Sequence, residues 1–274
     1  MTDRYAVVGN PIAHSKSPQI HAAFARETGQ DLVYDRILAP TDGFRATVDA
    51  FRAGGGRGLN VTLPFKLEAY EYAAERTPRA QAAGAVNTLV LDRDGVLGDN
   101  TDGEGLTRDL EHNLGVVLTG ARVLLLGAGG AAQGVILPLL ARRPAGIVIA
   151  NRTVEKAARL AQQFSAGGPV TASSFEGLAG QRFDVVINAT SASVDGAAPP
   201  LPPGLYAPGA LAYEMMYGKG ETAFLAQARA DGAARCADGL GMLVEQAAEA
   251  FFVWRGVRPS TAAVLEKLRR GETP

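Results

Sequence analysis

Residues 122–132, Arg-Val-Leu-Leu-Leu-Gly-Ala-Gly-Gly-Ala-Ala, run from an apolar segment into glycines and then into small residues that open a helical stretch. Strand, glycine turn and helix, in that order, are what a dinucleotide pyrophosphate needs. Gly127 permits the tight turn and Gly129 lets phosphates approach the backbone. Ala132, at the third fingerprint position, is small enough for the helix to lie against the strand. The helix N-terminus offers N–H groups and the positive end of its dipole to the phosphates. The predicted phosphate contacts are therefore Gly127, Ala128, Gly129, Gly130 and Ala131.

Downstream, strands are predicted at Arg122–Leu126, Ile147–Ala150, Phe183–Asn188, Ala210–Glu214 and Ala233–Ala237, with helices at Val154–Phe164 and Glu221–Ala230. This alternation predicts a mostly parallel, doubly wound sheet with right-handed crossovers. Upstream lies a second α/β unit without a phosphate-binding turn. Its strands are Tyr5–Val8, Leu32–Leu38, Leu59–Thr62 and Val86–Leu91. A helix starts at Ser17-Pro18 and ends at Gly29, with Ser17 as N-cap and Pro18 at its first position. Another carries Phe44, Val48 and Phe51 on one face and stops at Gly54-Gly55-Gly56. The expected division is 1–102 for a substrate-binding and catalytic domain, 103–238 for the nucleotide domain, and 239–274 for helices that return to the first domain. A cleft between two such domains, with a hinge near Thr101 and Gly239, is the expected place for catalysis.

The second strand of the nucleotide domain narrows the cofactor. A binder of NAD carries Asp or Glu about 20 residues past the glycines to hold the ribose 2′-hydroxyl. Here the strand ends in Asn151-Arg152-Thr153, followed by Lys156. No carboxylate stands at the strand end itself, and the cations Arg152 and Lys156 favour a 2′-phosphate, and so NADP. Thr153 also suits a helix N-cap, which accounts for the threonine but not for the cations.

Composition excludes other classes. The 274 residues are 47% hydrophobic and 20% charged, with a net charge of −1, so the chain is globular and has no electrostatic case for nucleic acid or anionic membrane. The single cysteine, Cys236, forbids an internal disulfide and fits a reducing cytoplasm; it reads as a buried structural thiol. Three scattered histidines predict no metal site. Tyr5–Val8 is too short for a signal peptide, and the apolar segment 123–141 is broken by glycines and Pro138, so no membrane span is expected.

Three polar clusters belong to the first half. In Asn10–Pro18, Ser15 has no evident local role. In Asn60–Lys66, period-2 spacing puts Asn60 and Thr62 on one strand face, Pro64 ends the strand, and Lys66 opens a turn or helix. In Asp99–Glu104, Thr101 and Glu104 read as a capping box and Asp102 as a first-turn carboxylate.

Together with Ala85–Thr88, Tyr213–Tyr217 and Asp238–Ala247, these segments resemble the NADP-dependent shikimate dehydrogenase family over essentially the whole chain. The resemblance implies reversible reduction of 3-dehydroshikimate to shikimate, in chorismate and aromatic amino-acid biosynthesis. It implies Lys66 and Asp102 as the catalytic pair, and Ser15, Ser17, Asn60, Thr62, Asn87, Tyr217 and Gln246 as substrate contacts. Met215 and Gly239 match positions near the nicotinamide, and Thr190 is a further cofactor candidate. Many members have an acidic residue at Pro78 and Asp at Glu214. A monomer or homodimer acting on a small molecule is expected. The competing readings are a dual-specificity quinate/shikimate dehydrogenase using NAD, a regulator that binds without turnover, and a generic reductase that explains only the second half.

Overall fold

The computed structural model describes residues 2–92, 94–218 and 220–274. In chain order the elements are β1 (Asp3–Gly9), α1 (Ser17–Thr28), β2 (Leu32–Leu38), α2 (Phe44–Ala53), β3 (Gly56–Val61), α3 (Lys66–Tyr72), β4 (Glu75–Arg76), α4 (Pro78–Ala83), β5 (Thr88–Leu91) and β6 (Val96–Asp99). Then come α5 (Asp102–Arg108), a π-helical turn (Asp109–Asn113), β7 (Arg122–Leu126), α6 (Gly130–Ala141), β8 (Gly146–Ala150) and α7 (Val154–Phe164). The chain ends with β9 (Val170–Ser173), β10 (Phe183–Asn188), β11 (Tyr206–Glu214), α8 (Ala223–Ala230), β12 (Arg235–Asp238), α9 (Leu240–Arg255) and α10 (Ala262–Arg269). Two compact units result: one runs to Gly105 and resumes at Leu243–Pro274, the other is Leu106–Met242.

The second unit holds a sheet in the order β9-β8-β7-β10-β11-β12, parallel at every pairing. The reason is legible in β7: Val123 to Leu126 are fully buried, as strands covered by helices on both faces must be. Helix α7 covers the neighbouring strands β8 and β9, with Ala157, Leu160, Ala161 and Phe164 buried at helical spacing. The strand order is that of a doubly wound dinucleotide fold, and it reverses between β7 and β10. The glycine turn after β7 therefore sits at the switch point, where ligands bind in such sheets.

The first unit has a mixed sheet, β2-β1-β3-β5-β6-β4. Strand β1 runs parallel to β2 and β3, and β5 antiparallel to β3 and β6. One apolar cluster gathers Val8, Phe44, Leu59, Val61, Phe65 and Leu89. Another joins Tyr5, Val7, Ile12 and Tyr34, with Trp254 of α9 against it. Both C-terminal helices thus contribute to this unit from Leu243 onward.

Several local expectations are corrected. Ser17 is the first helical residue of α1, not its N-cap; Lys16 holds that place and makes no capping bond with its own side chain. Strand β3 ends at Val61, leaving Thr62 just outside, although its N–H still donates to the Val8 carbonyl at 3.0 Å. Gly56 begins β3 rather than ending α2. Glu221 precedes α8, which Thr222 caps by accepting from the Leu225 N–H. Cys236 is half-buried on β12 rather than fully buried, and burial raises its thiol above the ordinary value. Among the described residues no helix is long and apolar enough to cross a membrane.

Candidate active site

Lys66 is the first residue of α3, set there by the turn through Leu63–Phe65 that ends β3. Asp102 is the first residue of α5, where the helix dipole favours a carboxylate. The two side chains meet: Lys66 Nζ donates to Asp102 Oδ2 at 2.6 Å, and both remain partly open to solvent, 30% and 22% exposed. A lysine has three protons to give. One goes to Asp102, which leaves others for a ligand.

The segment ahead of Asp102 is held rigidly. Asp99, 2% exposed, takes a two-point contact from the Arg79 guanidinium at 2.7 and 2.5 Å. Burial raises this carboxyl, but the bonds and charge of Arg79, with the Thr77 hydroxyl and the Asn100 N–H, together hold Asp99 below its ordinary value. Arg79 also reaches Glu249 of α9 at 2.7 Å. Asn100 donates to the Ala85 carbonyl at 3.0 Å, and its Oδ1 accepts the Asp102 N–H at 3.1 Å.

Asn87, 3% exposed, is the hub. Its Nδ2 donates to Asp102 Oδ1 and to Thr101 Oγ1, each at 2.9 Å, and to Gln246 Oε1 at 3.3 Å. Its Oδ1 accepts the Thr101 N–H at 2.9 Å and the Thr88 hydroxyl at 2.8 Å. Asn60, 6% exposed, donates to Thr88 Oγ1 at 3.1 Å and accepts from the Tyr34 hydroxyl at 2.7 Å. Gln246 is turned toward Asn87 because its amide nitrogen is spent on the Leu243 carbonyl at 2.9 Å. The Thr101 hydroxyl, expected in a helix cap, reaches this hub instead.

At the start of α1 the roles of the two serines are exchanged. Ser15 Oγ accepts the Ser17 N–H at 3.3 Å, so Ser15 is the residue that tethers the helix start. The two hydroxyls lie 3.2 Å apart. Arg36 of β2 fixes this loop from outside, its Nε and Nη2 donating to the Ser15 carbonyl at 3.0 and 2.5 Å. The structure therefore gathers Lys66, Asp102, Asn87 and Gln246 in one network and joins Asn60 to it. Ser15 and Ser17 form a pair at the start of α1. Thr62 enters no side-chain hydrogen bond among the described residues; its methyl lies where a side chain at Gly9 would go.

Sequence reasoning missed Tyr34, Arg36, Thr88 and Thr101. Thr88 and Thr101 lay inside motifs already quoted, next to Asn87 and Asp102. Tyr34 carried a fainter signal, a tyrosine with a polar tip within a predicted strand.

In the second unit the glycine turn fits a pyrophosphate. Gly127 has φ +105°, and a Cβ there would stand 3.0 Å from the Ala189 carbonyl oxygen. A Cβ at Gly129 or Gly130 would meet nothing, so the space over both is open. Gly129, at the N-cap of α6, has no side chain to cap the helix, which leaves first-turn N–H groups for an anion. Asn151 braces the next loop by donating to the Thr153 carbonyl at 2.9 Å. Thr153 holds the N-cap position of α7 without a capping bond. Arg152 and Lys156 are exposed, and neither pairs with a carboxylate among the described residues. That donor set suits a second, terminal phosphate.

The rim opposite is ordered by Glu214, fully buried at the end of β11. It accepts from Asn188 at 2.9 Å, from the Met216 N–H at 3.2 Å, from Thr222 at 3.3 Å, and from Ser193. Asn188 in turn accepts the Thr190 N–H and hydroxyl. Met215 donates its N–H to the Asn188 carbonyl at 3.0 Å, and a Cβ at Gly239 would lie 2.2 Å from the Met215 carbonyl oxygen. Glycine is required there. Tyr217 is half-buried, which raises its phenol above the ordinary value.

Comparison with known proteins gives a consistent result. The profile of the shikimate dehydrogenase substrate-binding domain matches residues 7–89, that of the shikimate/quinate 5-dehydrogenases residues 109–195, and that of the shikimate 5′-dehydrogenase C-terminal domain residues 239–269. A shikimate dehydrogenase (NADP(+)) of Aromatoleum aromaticum is 65% identical over 271 residues, covering 98% of this chain and 97% of its own. One from Dechloromonas aromatica is 64% identical over 269 residues, covering 98% of each. Among solved structures, an Ael1 enzyme from Pseudomonas putida superposes with a TM-score of 0.93 at 52% identity, covering 97% of this chain and 98% of that one. A shikimate 5-dehydrogenase from Thermus thermophilus, in complex with NADP(H) and shikimate, superposes with a TM-score of 0.86 at 33% identity, covering 98% and 99%.

Proposed function

The chain belongs to the shikimate dehydrogenase family, and we propose that within it Lys66 and Asp102 carry the proton chemistry of 3-dehydroshikimate reduction. The protein is an NADP-dependent oxidoreductase that interconverts 3-dehydroshikimate and shikimate, a step of aromatic biosynthesis. The observation that supports the catalytic reading is the 2.6 Å contact between Lys66 and Asp102, braced by Asn87 on the other carboxylate oxygen.

Bound NADPH supplies a hydride for the ketone carbon. The chain must then deal with the charge that grows on the ketone oxygen. Lys66 offers an ammonium proton to that oxygen, first as a hydrogen bond and then by transfer, and regains a proton from solvent. Asp102 keeps the ammonium aimed, and it is itself held because Asn87 and Lys66 each donate to one of its oxygens. Asn87 thereby fixes the carboxylate plane.

A small acid with several hydroxyls calls for short polar side chains rather than an apolar pocket. In this reading Ser15 and Ser17 donate their paired hydroxyls to the substrate carboxylate. Asn60, Thr62, Asn87, Gln246 and Tyr217 meet its hydroxyls. Gly127 to Ala131 receive the pyrophosphate, and Asn151, Arg152, Thr153 and Lys156 the 2′-phosphate and its ribose. Thr190, Met215 and Gly239 flank the nicotinamide end. Residues 1–102 thus form the substrate and catalytic domain and 103–238 the NADP domain, with 239–274 contributing Gln246. We further read the protein as a cytoplasmic monomer or homodimer, the lone Cys236 fitting a reducing compartment.

Initial rates with shikimate and quinate, each with NADP+ and NAD+, test the reading. Shikimate with NADP+ should be the best pair; higher kcat/KM with quinate or NAD+ would overturn the choice of substrate or cofactor.

A further inference from the structure

We propose that Tyr34 and Thr88 are positioning residues that act through Asn60, by fixing the sense of a one-way hydrogen-bond chain that ends on Asp102. The proposal rests on the reading of Asn60 as a substrate contact.

The sense of the chain follows from the groups that cannot reverse. Asp102 Oδ1 only accepts, so the Asn87 atom 2.9 Å from it is Nδ2. The Thr101 N–H only donates, so the Asn87 atom 2.9 Å from that nitrogen is Oδ1. Thr88 lies 2.8 Å from the same Oδ1 and must donate to it. Its hydroxyl proton is then used, and it can only accept from Asn60, which presents Nδ2 at 3.1 Å. Asn60 Oδ1 is left facing the Tyr34 hydroxyl at 2.7 Å, which must donate.

Tyr34 suits that duty. It is 8% exposed, and its ring stacks on His21 with centroids 4.2 Å apart. Burial raises the phenol well above its ordinary value, against the opposing pull of the Ser17 hydroxyl, so the proton stays on Tyr34. Without that donor, Asn60 Oδ1 loses its hydroxyl partner, and only the long 3.4 Å contact of Nδ2 with the Asn87 carbonyl still opposes turning of the amide. Thr88 would then have two acceptors for one proton, and a substrate hydroxyl would meet the wrong end of Asn60. Thr88 is the cross-strand partner of Asn60 and is fully buried, so no water can substitute for it.

The test measures shikimate affinity of the full chain by titration calorimetry, with NADP+ affinity as control. Tyr34→Phe keeps the ring and should weaken shikimate binding roughly five- to tenfold, with NADP+ affinity unchanged. In an Asn60→Ala background the same change should cost less than about twofold, since the group it orients is gone. Thr88→Val should reproduce the loss and Thr88→Ser should restore binding; this pair carries the test if Tyr34→Phe does not fold. Affinity within about twofold of wild type for Tyr34→Phe, or an undiminished loss in the Asn60→Ala background, would overturn the proposal. A wild-type protein that binds no shikimate would instead overturn the reading of Asn60 on which it rests.

Discussion

His21 makes acid stability measurable at a single residue. It is fully buried in α1, stacked on Tyr34, and neither ring nitrogen has a hydrogen-bond partner among the described residues. Burial pushes it down to about 3 from an ordinary 6.5, with the nearby Asn60 opposing. The sign follows directly. The unfolded chain takes up a proton at this residue below pH 6.5 and the folded chain refuses it. Its contribution to stability is therefore complete above pH 6.5 and drains away as pH falls toward 3. With those two values the loss is about 2 kcal/mol by pH 5, where unfolded carboxylates still contribute little. His21→Phe keeps an aromatic ring against Tyr34 and removes the proton site. Urea unfolding at about pH 7.5 and about pH 5.0 gives the loss for each protein. The wild type should lose about 2 kcal/mol more than the variant between the two conditions. Equal losses would show that His21 takes up a proton as readily folded as unfolded, and would refute the buried, neutral ring.

Three further predictions concern the second unit. Arg152→Ala removes an exposed cation that no carboxylate among the described residues holds, and should raise KM for NADP+ about tenfold, from the loss of one charge-assisted bond, while KM for shikimate stays put; initial rates measure both. Gly127→Ala forces a side chain into φ +105° against the Ala189 carbonyl, so NADP+ affinity and thermal midpoint should both fall. Fluorescence titration and calorimetry read the two effects. Glu214→Ala strips the buried acceptor from Asn188, Ser193, Met216 and Thr222, and should cost on the order of 3 kcal/mol in unfolding free energy, read by urea denaturation.

The second unit was the easier half to read from sequence. Val123–Leu126 is apolar without interruption, Gly127 to Ala132 is a local fingerprint, and Asn151–Lys156 follows within one strand and helix. Each signal lies in a short window, so period and turn chemistry suffice. The proposed catalytic pair was legible in part: the turn through Pro64 placed Lys66 at a helix start and the polar run placed Asp102 at another. That they touch depends on the sheet of the first unit. Tyr34 and Thr88 stayed hidden because their roles come from long-range register. Asn60 faces Thr88 only because β3 pairs with β5 in that alignment. The serines misled for a local reason: either could tether the start of α1, and only backbone geometry shows that Ser15 does so.

The direct test of the account is turnover by Lys66→Met. If Lys66 supplies the proton and stabilises the alkoxide, kcat should fall by about two to four orders of magnitude, while shikimate affinity by calorimetry changes little. A variant whose kcat stays within about tenfold of wild type would contradict the assignment of Lys66 and the proton chemistry built on it.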